Sequence, residues 1–599
     1  MQGLLEIDDK KRIIFKEYTD NCCNSSILAE LQKKLAISPL VAKILVGRGI
    51  SDTKAAERFL CPTFQTGLEN PNRIKNIIAL SDALLQFTKD KTPLTIFCDF
   101  DVDGLTAGAQ LYLYLQKIGA NIGYYVPDRF SDGYGLSAKA VEHIAHSGSK
   151  VLITIDCGIS NINEIALAKR LGLTCFVIDH HQVLNPPPAD IIVDPEQDGC
   201  PFKPYKLCAS GLIWMLLIVL RGRSKERAQE IFGKEAVDMP DPKKYLDLAM
   251  LGTVCDLVPL VELNRLIVFR GLEALKQTER PGLTALMELT KLAGNPRLSA
   301  AHVGYTIGPR INAVGRLGHA GNVFELLTTT DSLKAKSLAR TIDSFNTERK
   351  NIEQNSVAEC IEYLGQNPAL LERPALAIFD ENFHLGVMGI IAQRLVEQFN
   401  VPAAAMGIGE IVDSSGNIKQ VIKGSVRGVP GFSVALALKN ISAICINCGG
   451  HDQAGGFSIE FDKLEEFQEA FINQAETMID KSILRKKEYL CDLEVDFGDM
   501  DFKTVSALAK LAPFGIGNPP PLFFTGNTEI KSVSALKNNG YKLLLKNKDY
   551  FLTTVIWNFQ NKGILHVDKT VNILFTPEIY HYQGNSSVQL TIKEIWEEK

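Results

Sequence analysis

Residues 94–104 read Leu-Thr-Ile-Phe-Cys-Asp-Phe-Asp-Val-Asp-Gly, and this stretch decides the fold. Its first four residues are mostly apolar and predict a buried strand of a parallel sheet. Asp99, Asp101 and Asp103 follow at every second position, so in an extended chain their side chains would share one face. Gly104 would then permit a tight turn into a helix. Clustered carboxylates repel one another, and divalent cations at the carboxyl end of the strand would relieve that repulsion.

The region around this stretch has the rhythm of a doubly wound sheet. From about residue 75 to 330, short apolar runs alternate with amphipathic helical stretches, which predicts parallel strands with helices on both faces. The predicted strands are Leu94–Phe97, Ile122–Val126, Val151–Ile155, Thr174–Ile178 and Ile191–Val193. The predicted helices are Leu105–Ile118, Ser137–His146, Ile162–Leu171, Ser210–Leu220 and Tyr245–Met250.

Length and composition indicate a multidomain globular protein of a reducing cytoplasm. A chain of 599 residues exceeds the ~250–300 residues of a single core. The net charge of −5 gives no global basic signature, so a nucleic-acid site would have to be local. The 13 scattered cysteines argue against a disulfide framework, and Cys445 and Cys448 are predicted to be two buried thiols. The apolar segment 207–220 is too short to span a bilayer, and no signal-peptide core is present, so no membrane association is expected.

The order of segments predicts five parts. Residues 1–70 are expected to form a small helical lead-in, and 71–330 the first α/β domain. A charged stretch without breakers, 331–368, predicts a long connecting helix. A second, smaller α/β domain is expected over 369–482, and short alternating segments predict a small β-barrel over 483–599.

Further acidic and histidine residues follow the predicted strands and one helix. Asp156 follows the strand that begins at Val151, and Asp179-His180-His181 follow the strand that begins at Thr174. Asp256 follows the helix near Tyr245. Oxygen ligands with one imidazole suit Mn²⁺ or Mg²⁺ better than a thiolate-loving ion. Because the carboxyl ends of parallel strands meet at one edge, the sequence predicts a divalent-metal site there.

Several motifs together carry a resemblance to a known family. Asp179-His180-His181, with the acidic stretch at 99–103, Asp156-Cys-Gly158 and Asp256, resembles the DHH phosphoesterase superfamily. Four more motifs narrow the resemblance to RecJ, a family of bacterial single-strand-specific 5′→3′ DNA exonucleases: Gly308-Pro-Arg-Ile-Asn-Ala-Val-Gly-Arg-Leu317, Gly424-Ser-Val-Arg427, Gly449-Gly-His-Asp-Gln-Ala-Gly-Gly-Phe-Ser-Ile459 and Leu511-Ala-Pro-Phe-Gly-Ile-Gly-Asn-Pro519. The resemblance covers nearly the whole chain in order. It implies a DHH-type catalytic domain, a long helix, a substrate-clamping DHHA1 domain and an OB-type barrel.

The resemblance implies a two-metal hydrolase that uses Mn²⁺ or Mg²⁺. Asp101 and Asp156 would hold one ion, and Asp103, Asp156, His180 and Asp256 the other, with Asp156 bridging the two. His181 would stabilise charge or donate a proton at the scissile phosphate, and Asp179 would orient the two histidines. Asp99 matches the motif without being a certain ligand.

One position departs from the family pattern. Many relatives have a histidine where this chain has Phe97, which cannot bind metal. We therefore expect the first ion to be weakly held, to arrive with substrate, and to raise the metal requirement.

The resemblance also implies DNA-binding residues. Arg310, Asn312 and Arg316 share one motif, whose arginines would grip the phosphate backbone or, alternatively, form salt bridges within the sheet. His451 would face the active-site cleft, and Arg129, Ser425 and Arg427 would form a pocket for the 5′-terminal phosphate. The barrel would add positive charge from Lys531, Lys537, Lys542, Lys546 and Lys548. Stacking faces would come from Tyr541, Tyr550, Phe551 and Trp557, about half of which we expect to be core instead.

The function predicted on this basis is degradation of single-stranded DNA from 5′ to 3′ into 5′-mononucleotides, in DNA repair and recombination. The family implies a cytoplasmic monomer whose partners are single-stranded DNA, a single-strand-binding protein and a RecQ-type helicase. One alternative is a DHH enzyme acting on short oligoribonucleotides or on 3′-phosphoadenosine 5′-phosphate, which would lack the final barrel. Another is a non-catalytic replication scaffold, which would have lost metal ligands, whereas only Phe97 is non-ligating here.

Overall fold

In a computed structural model, the structure describes residues 4–8, 11–16, 22–128, 133, 135–233, 239–412, 418–480, 484–537, 539–559, 562–582 and 585–597. The chain divides into two compact units. The first comprises Phe15–Asp343 and Cys491–Lys599, and the second comprises Gln2–Ile14 and Ser344–Leu490. Among the described helices, none combines the length and the apolar character needed to cross a bilayer.

The first unit contains a five-stranded parallel sheet. Its spatial order is Ile122–Tyr125, Leu94–Cys98, Val151–Ile155, Thr174–Ile178, Ile191–Val193. All five predicted strands are confirmed, with bounds that differ by at most one residue. If the strands are numbered in chain order, their spatial order across the sheet is 2-1-3-4-5. The direction of winding therefore reverses between the first and third strands, and a doubly wound sheet binds its ligand at such a point. The third strand is buried along its whole length, which explains why Thr154 is its only polar residue.

Helices connect and cover these strands, and the five predicted helices are confirmed with changes at their ends. The longer helices are Ile77–Lys89, Val102–Lys117, Ala138–His146, Ile162–Arg170, Ala209–Glu226, Leu246–Cys255, Glu262–Lys276, Pro281–Leu289, Gly308–Leu317 and Gly321–Thr328. Shorter helical segments are Phe64–Gly67, Pro71–Arg73, Lys203–Tyr205, Ala228–Phe232, Pro242–Tyr245, Ala300–His302 and Val303–Ile307. The apolar segment 207–220 lies in the buried helix Ala209–Glu226, as predicted.

The N-terminal prediction was wrong in part. Two antiparallel strands, Leu4–Asp8 and Lys11–Phe15, precede the helices, and the second pairs with Lys487–Cys491. These strands are too short to be recognised by alternation, and the partner strand lies at the far end of the second unit. The helices that follow are Cys22–Leu35, Pro39–Gly47 and Thr53–Leu60.

The long connecting helix is confirmed and runs from Ser332 to Gln366. Asp331 begins it, because its carboxylate accepts hydrogen bonds from the amides of Leu333 (2.8 Å) and Lys334 (3.2 Å). The helix carries the chain from the first unit into the second.

The second unit is built on a mixed five-stranded sheet. Its spatial order is Asn447–His451, Ala454–Ile459, Ile418–Arg427, Ala403–Val412, Leu376–Phe379. Only the last pair is parallel. Its helices are Met388–Phe399, Val434–Asn440 and Leu464–Met478, with short turns at Pro368–Glu372, Ser442–Ile444 and Phe461–Lys463. Cys445 and Cys448 are half-buried rather than buried, which corrects the prediction made for them.

The C-terminal segment of the first unit is a closed barrel. Its five strands are Phe523–Ala535, Tyr541–Asn547, Tyr550–Ile556, Thr570–Tyr582 and Asn585–Glu597. The first strand pairs with both the second and the fourth, which closes the sheet. A two-residue strand, Leu493–Glu494, adds to the first strand, and short helical segments lie at Phe497–Asp499, Phe502–Leu508, Ala509–Leu511 and Lys562–Ile564. The alternating segments predicted from the sequence, Tyr541–Lys546, Phe551–Trp557, Thr570–Thr576 and Ser587–Ile592, correspond to four of the five strands, and the first strand was missed.

Candidate metal centre

The acidic stretch at residues 99–103 does not stay extended. The strand Leu94–Cys98 ends before Asp99, and the helix Val102–Lys117 begins almost at once, with Asp101 as its N-cap. The Asp101 carboxylate accepts a hydrogen bond from the amide of Gly104 at 3.1 Å, and Asp103 lies in the first helical turn. The expectation that the three aspartates share one face of an extended chain was therefore wrong. Gly104 is not a turn residue but a point of close packing, because a Cβ there would lie 2.6 Å from the carbonyl oxygen of Asp99.

Asp103 is buried at the start of a second helix. Its two carboxylate oxygens accept hydrogen bonds from the amides of Ala209 (2.7 Å) and Ser210 (2.9 Å), in the first turn of the helix Ala209–Glu226. The positive end of that helix favours a negative charge at this position. Gly252 must be glycine, because a Cβ there would lie 2.4 Å from Asp103 Oδ1.

His180 lies at the centre of the cluster. Its Nε2 is 3.1 Å from Asp156 Oδ1, 3.7 Å from Asp103 Oδ2 and 3.8 Å from Asp256 Oδ2. Asp156 follows the third strand in a left-handed conformation with φ of 62°, which an aspartate tolerates better than most residues. Asp256 closes the helix Leu246–Cys255. Four residues from separate elements therefore point at one place.

Asp179 holds the histidine pair in position. Its Oδ1 accepts hydrogen bonds from the amide of His180 (2.8 Å) and from His181 Nδ1 (2.7 Å), and its Oδ2 accepts one from the amide of Ile159 (3.1 Å). Burial acts to raise the pKa of Asp179, but the hydrogen bond and charge of His181, the charge of His180 and the Ile159 amide together outweigh it and hold that pKa below its usual value. Burial likewise acts to lower the pKa of His181, yet Asp179 raises it to about 9. His181 is thereby kept protonated at neutral pH.

The raised pKa values of the remaining carboxylates indicate that this site favours a bound positive charge. Burial first, and neighbouring carboxylates second, raise the pKa of Asp103 to about 7 and that of Asp256 to about 9. The same causes raise the pKa of Asp156 well above its usual value. Buried like charges at this spacing are stable only with protons or cations between them.

The donor set fits divalent ions. Ligand atoms lie within 4.8 Å of one another in three groups: Asp103, His180 and Asp256; Asp156, His180 and His181; and Asp99, Asp101 and Asp156. Oxygen donors with one imidazole are the set that Mn²⁺ and Mg²⁺ accept. Asp156 belongs to two groups, as a bridging ligand would. Phe97 is buried and stacks on Tyr125, with ring centroids 5.8 Å apart, and therefore adds no ligand.

The predicted DNA-binding residues of the first unit have contacts within the protein. Arg310 donates from Nε to Asp343 Oδ1 (2.8 Å) and from Nη1 to the carbonyl of Thr306 (2.7 Å). Arg310 therefore forms a salt bridge, as the alternative expected, but its partner Asp343 lies in the long helix Ser332–Gln366 and not in the sheet. The Asn312 side-chain oxygen accepts a hydrogen bond from the amide of Val102 at 3.1 Å, so Asn312 supports the helix that carries Asp103. Arg316 is half-buried on the same helix as Arg310.

The predicted 5′-phosphate residues of the second unit lie side by side. Arg427 donates from Nη1 to Ser425 Oγ at 3.1 Å, and both side chains face the first turn of the helix Met388–Phe399. A Cβ at Gly389 in that turn would lie 2.7 Å from Arg427 Nη2 and 3.1 Å from Ser425 Oγ. His451 is exposed at the end of the strand Asn447–His451. Arg129 lies outside the described residues.

The barrel residues divide between exposed and paired. Tyr550, Phe551 and Trp557 are each at least half exposed, whereas Tyr541 packs against the core, so one of the four aromatics is core rather than the expected half. Two of the lysines have carboxylate partners: Lys531 contacts Glu529 and Asp568, and Lys548 contacts Asp496. Lys546 lies over the ring of Phe551 at 5.8 Å.

Sequence reasoning missed one acidic residue near the centre. Asp194 follows the fifth strand, is fully buried, and its Oδ2 has no hydrogen-bond partner among the described residues. Burial raises its pKa to about 8, with Asp179 adding to the shift. Its place after a predicted strand was the signal that could have found it.

Comparison with known proteins now has a structural basis. Three family models match: the DHH family N-terminal domain over residues 93–253, the DHHA1 domain over 372–477 and the RecJ OB domain over 491–594. The predicted succession of a DHH-type α/β domain, a DHHA1 domain and an OB-type barrel is confirmed.

Relatives match over almost the whole chain. The single-stranded-DNA-specific exonuclease RecJ of Bacillus subtilis is 32% identical, over 94% of this chain and 69% of that protein. RecJ of Haemophilus influenzae is 31% identical, over 93% of this chain and 96% of that protein. The crystal structure of RecJ in complex with Mn²⁺ from Thermus thermophilus is 25% identical with a TM-score of 0.80, covering 98% of this chain and 80% of that one. From these matches and the geometry of its acidic centre, the chain belongs to the RecJ family.

Proposed function

We propose that this protein is a metal-dependent exonuclease that degrades single-stranded DNA from 5′ to 3′ and releases 5′-mononucleotides. The observation that carries the proposal is the convergence of Asp103, Asp156, His180 and Asp256 at the switch point of the sheet. Its relatives are named for single-stranded-DNA-specific exonuclease activity. A related structure contains Mn²⁺ and another contains Mg²⁺.

The proposed ligands divide into two sites that share Asp156. Asp101 and Asp156 would hold one ion, and Asp103, Asp156, His180 and Asp256 would hold the other. When bound, two divalent ions lower the pKa of a water molecule and neutralise the charge that develops on the phosphate. The fold fixes the positions of the proposed ligands. Asp103 is held by two helix amides, and Asp256 lies at the end of a second helix.

His181 is proposed to act on the substrate rather than on an ion. Its Nδ1 is occupied by Asp179, and its pKa is raised, so Nε2 carries a proton at neutral pH. From there it donates a hydrogen bond to a phosphate oxygen or a proton to the leaving 3′-oxygen. Asp179 fixes the ring orientation and the tautomer.

Polarity is proposed to come from a phosphate pocket in the second unit. The guanidinium of Arg427, the hydroxyl of Ser425 and the first amides of the helix Met388–Phe399 form a set of donors suited to a terminal phosphate. Arg129 is proposed to join this pocket, and Arg310, Asn312, Arg316 and His451 to contact the strand elsewhere.

The decisive assay compares end-labelled strands. With Mn²⁺ or Mg²⁺, a 5′-labelled single strand should release labelled mononucleotide at once, a 3′-labelled strand should shorten progressively, and chelation should stop both. Asp156→Ala should abolish cleavage and leave strand binding largely intact. Initial release of mononucleotide from the 3′ label would refute the polarity, and full activity of Asp156→Ala would refute the site.

The phosphate pocket has a test of its own. Arg427→Ala should lower the rate on a 5′-phosphorylated strand at least ~10-fold, the cost of about 1.4 kcal/mol from one charge-assisted contact, and reduce the preference over a 5′-hydroxyl strand. Lys419→Ala is a matched control, because Lys419 lies on the same strand but pairs with Glu460. An unchanged preference in Arg427→Ala would remove the pocket from the proposal.

A DHH enzyme for short oligoribonucleotides or 3′-phosphoadenosine 5′-phosphate is the alternative. The closed barrel at the C-terminus favours a long strand, because its exposed Tyr550, Phe551 and Trp557 suit successive bases. Comparing a dinucleotide with a long single strand as substrate separates the two functions.

The remaining associations are proposals from the family. We propose that the protein is a monomer in the cytoplasm and works with a single-strand-binding protein and a RecQ-type helicase in DNA repair and recombination. Light scattering during gel filtration tests the monomer, and co-purification with each purified partner tests the associations.

A further inference from the structure

A cavity of about 360 Å³ opens beside the metal centre in the first unit. His180 and Asp256 form one side, and the other walls come from residues 195–196, 206–207 and 257–259. Its volume lies within the range of ~300–1,000 Å³ in which proteins bind small organic groups. These three wall segments have no role in the metal site.

The walls are held in an unusual backbone conformation. Lys206 and Leu257, which belong to two of these three wall segments, have φ of 48° and 59°, although neither is glycine. For such residues the left-handed conformation is strained, and strain of this kind concentrates at functional sites. A buried amide pins both walls: Asn264 Nδ2 lies 3.0 Å from the carbonyl oxygens of Tyr205 and Lys206 and 3.1 Å from that of Pro259. The cavity is therefore built rather than incidental.

The chemistry of the walls suits an uncharged ligand with apolar faces. Leu257 projects with 67% of its surface exposed, although it follows a metal-centre residue directly. Leu207 and Val258 add further apolar surface. The lysine on the wall, Lys206, is paired with Glu196 at 2.5 Å, and the same carboxylate also contacts Lys203 at 3.4 Å, so the Lys206 ammonium is already engaged within the protein.

We propose that this cavity binds the nucleobase of a nucleotide next to the scissile phosphate, and that Leu257 packs against the face of that base. The inference rests on the proposed nuclease function, because a strand whose phosphate lies at His180 and Asp256 places its flanking bases within reach of the same walls. A nucleobase is uncharged, and its flat face is apolar, which matches the exposed side chain of Leu257 beside the paired Lys206.

The test uses single strands that carry one abasic tetrahydrofuran nucleotide, placed first or second from the 5′ end. In wild-type protein, one of these two positions should slow release about tenfold, the lower part of the range for losing one base contact. Leu257→Ala should slow release from the normal strand by a similar factor and leave the rate on that abasic strand within about twofold. Leu333→Ala is the control and should behave as wild type, because Leu333 is an even more exposed leucine in the first turn of the connecting helix.

Two cleavage results would overturn the inference: equal wild-type rates on both abasic strands and the normal strand, or equal slowing of normal and abasic strands by Leu257→Ala. Fluorescence anisotropy in chelator adds a measurement that needs no cleavage. There the sensitive abasic strand should bind wild-type protein about tenfold more weakly than the normal strand, and Leu257→Ala should remove most of that difference. If the protein cut no single strand, the nuclease proposal would be refuted. The base pocket would then be tested by the anisotropy measurement alone.

Discussion

Gly252→Ala should disable the metal centre without replacing any of the proposed ligands. The added Cβ would lie 2.4 Å from Asp103 Oδ1 and 2.3 Å from the Cβ of Ser210. Carbon contacts in proteins settle near ~3.5–4.0 Å, so Asp103 and the Ser210 turn must move by about 1 Å. Metal–ligand distances tolerate only about 0.2 Å.

The size of the effect follows from these displacements. Disturbing the support of a ligand typically costs ~10–100-fold in metal affinity, and we expect that range for Mn²⁺ binding. Overpacking should cost about 1–3 kcal/mol of unfolding free energy, offset by ~0.5–1 kcal/mol because alanine favours a helix more than glycine does. Metal binding should therefore suffer more than folding.

The assay is Mn²⁺ titration of metal-free protein by electron paramagnetic resonance, alongside thermal unfolding in chelator. Gly222→Ala is the matched control, since Gly222 lies in the helix Ala209–Glu226 and no atom stands within 4 Å of the added Cβ. It should bind Mn²⁺ as wild type does. If Gly252→Ala folded normally and bound Mn²⁺ within about twofold of wild type, the close packing between Gly252 and Asp103 would not be needed for metal binding.

Three further predictions concern protons and ions. The pKa values of Asp103 (about 7) and Asp256 (about 9) in the folded protein exceed the ~4 expected for the unfolded chain. Without metal, the stability that these two protonated groups contribute is therefore fully present below pH ~4. It is lost as the pH rises through about 7 and about 9. Thermal stabilisation by Mn²⁺ should therefore grow from about pH 6 to about pH 9, and a flat profile would contradict this electrostatic account. Asp179→Asn should return the His181 pKa from about 9 toward ~6.5, so the alkaline limb of kcat should move to lower pH and histidine NMR titration should show the same shift. With Phe97 in place of a ligand, metal-free protein should bind one Mn²⁺ tightly and a second at least ~10-fold more weakly without DNA; two tight ions in the titration would count against this.

The rival of a non-catalytic scaffold is disfavoured by the arrangement of the site. Loss of function usually frees ligands to change, yet Asp103, Asp156, His180 and Asp256 still converge, and their supports, Asp179 and Gly252, are in place. Packing alone would not retain so many buried carboxylates with raised pKa values, because they destabilise the protein when no cation is present.

The sequence by itself determined the parallel sheet, the long helix and most of the barrel, because apolar periodicity and chain breakers act within a few residues. It also placed acids and histidines after strands, so the metal-binding edge followed from topology alone. Only the tertiary structure decided that Asp103 is anchored on a second helix, that Arg310 pairs with Asp343, and that Asn312 supports the first helix.

The same limit explains the errors. The N-terminal strand Lys11–Phe15 depends on pairing with the distant strand Lys487–Cys491, and local pattern cannot reveal such pairing. The cavity walls depend on Asn264, whose amide joins carbonyl groups from two distant loops. Contacts of this kind arise from folding in three dimensions, so their residues carry no signal at neighbouring positions in the chain.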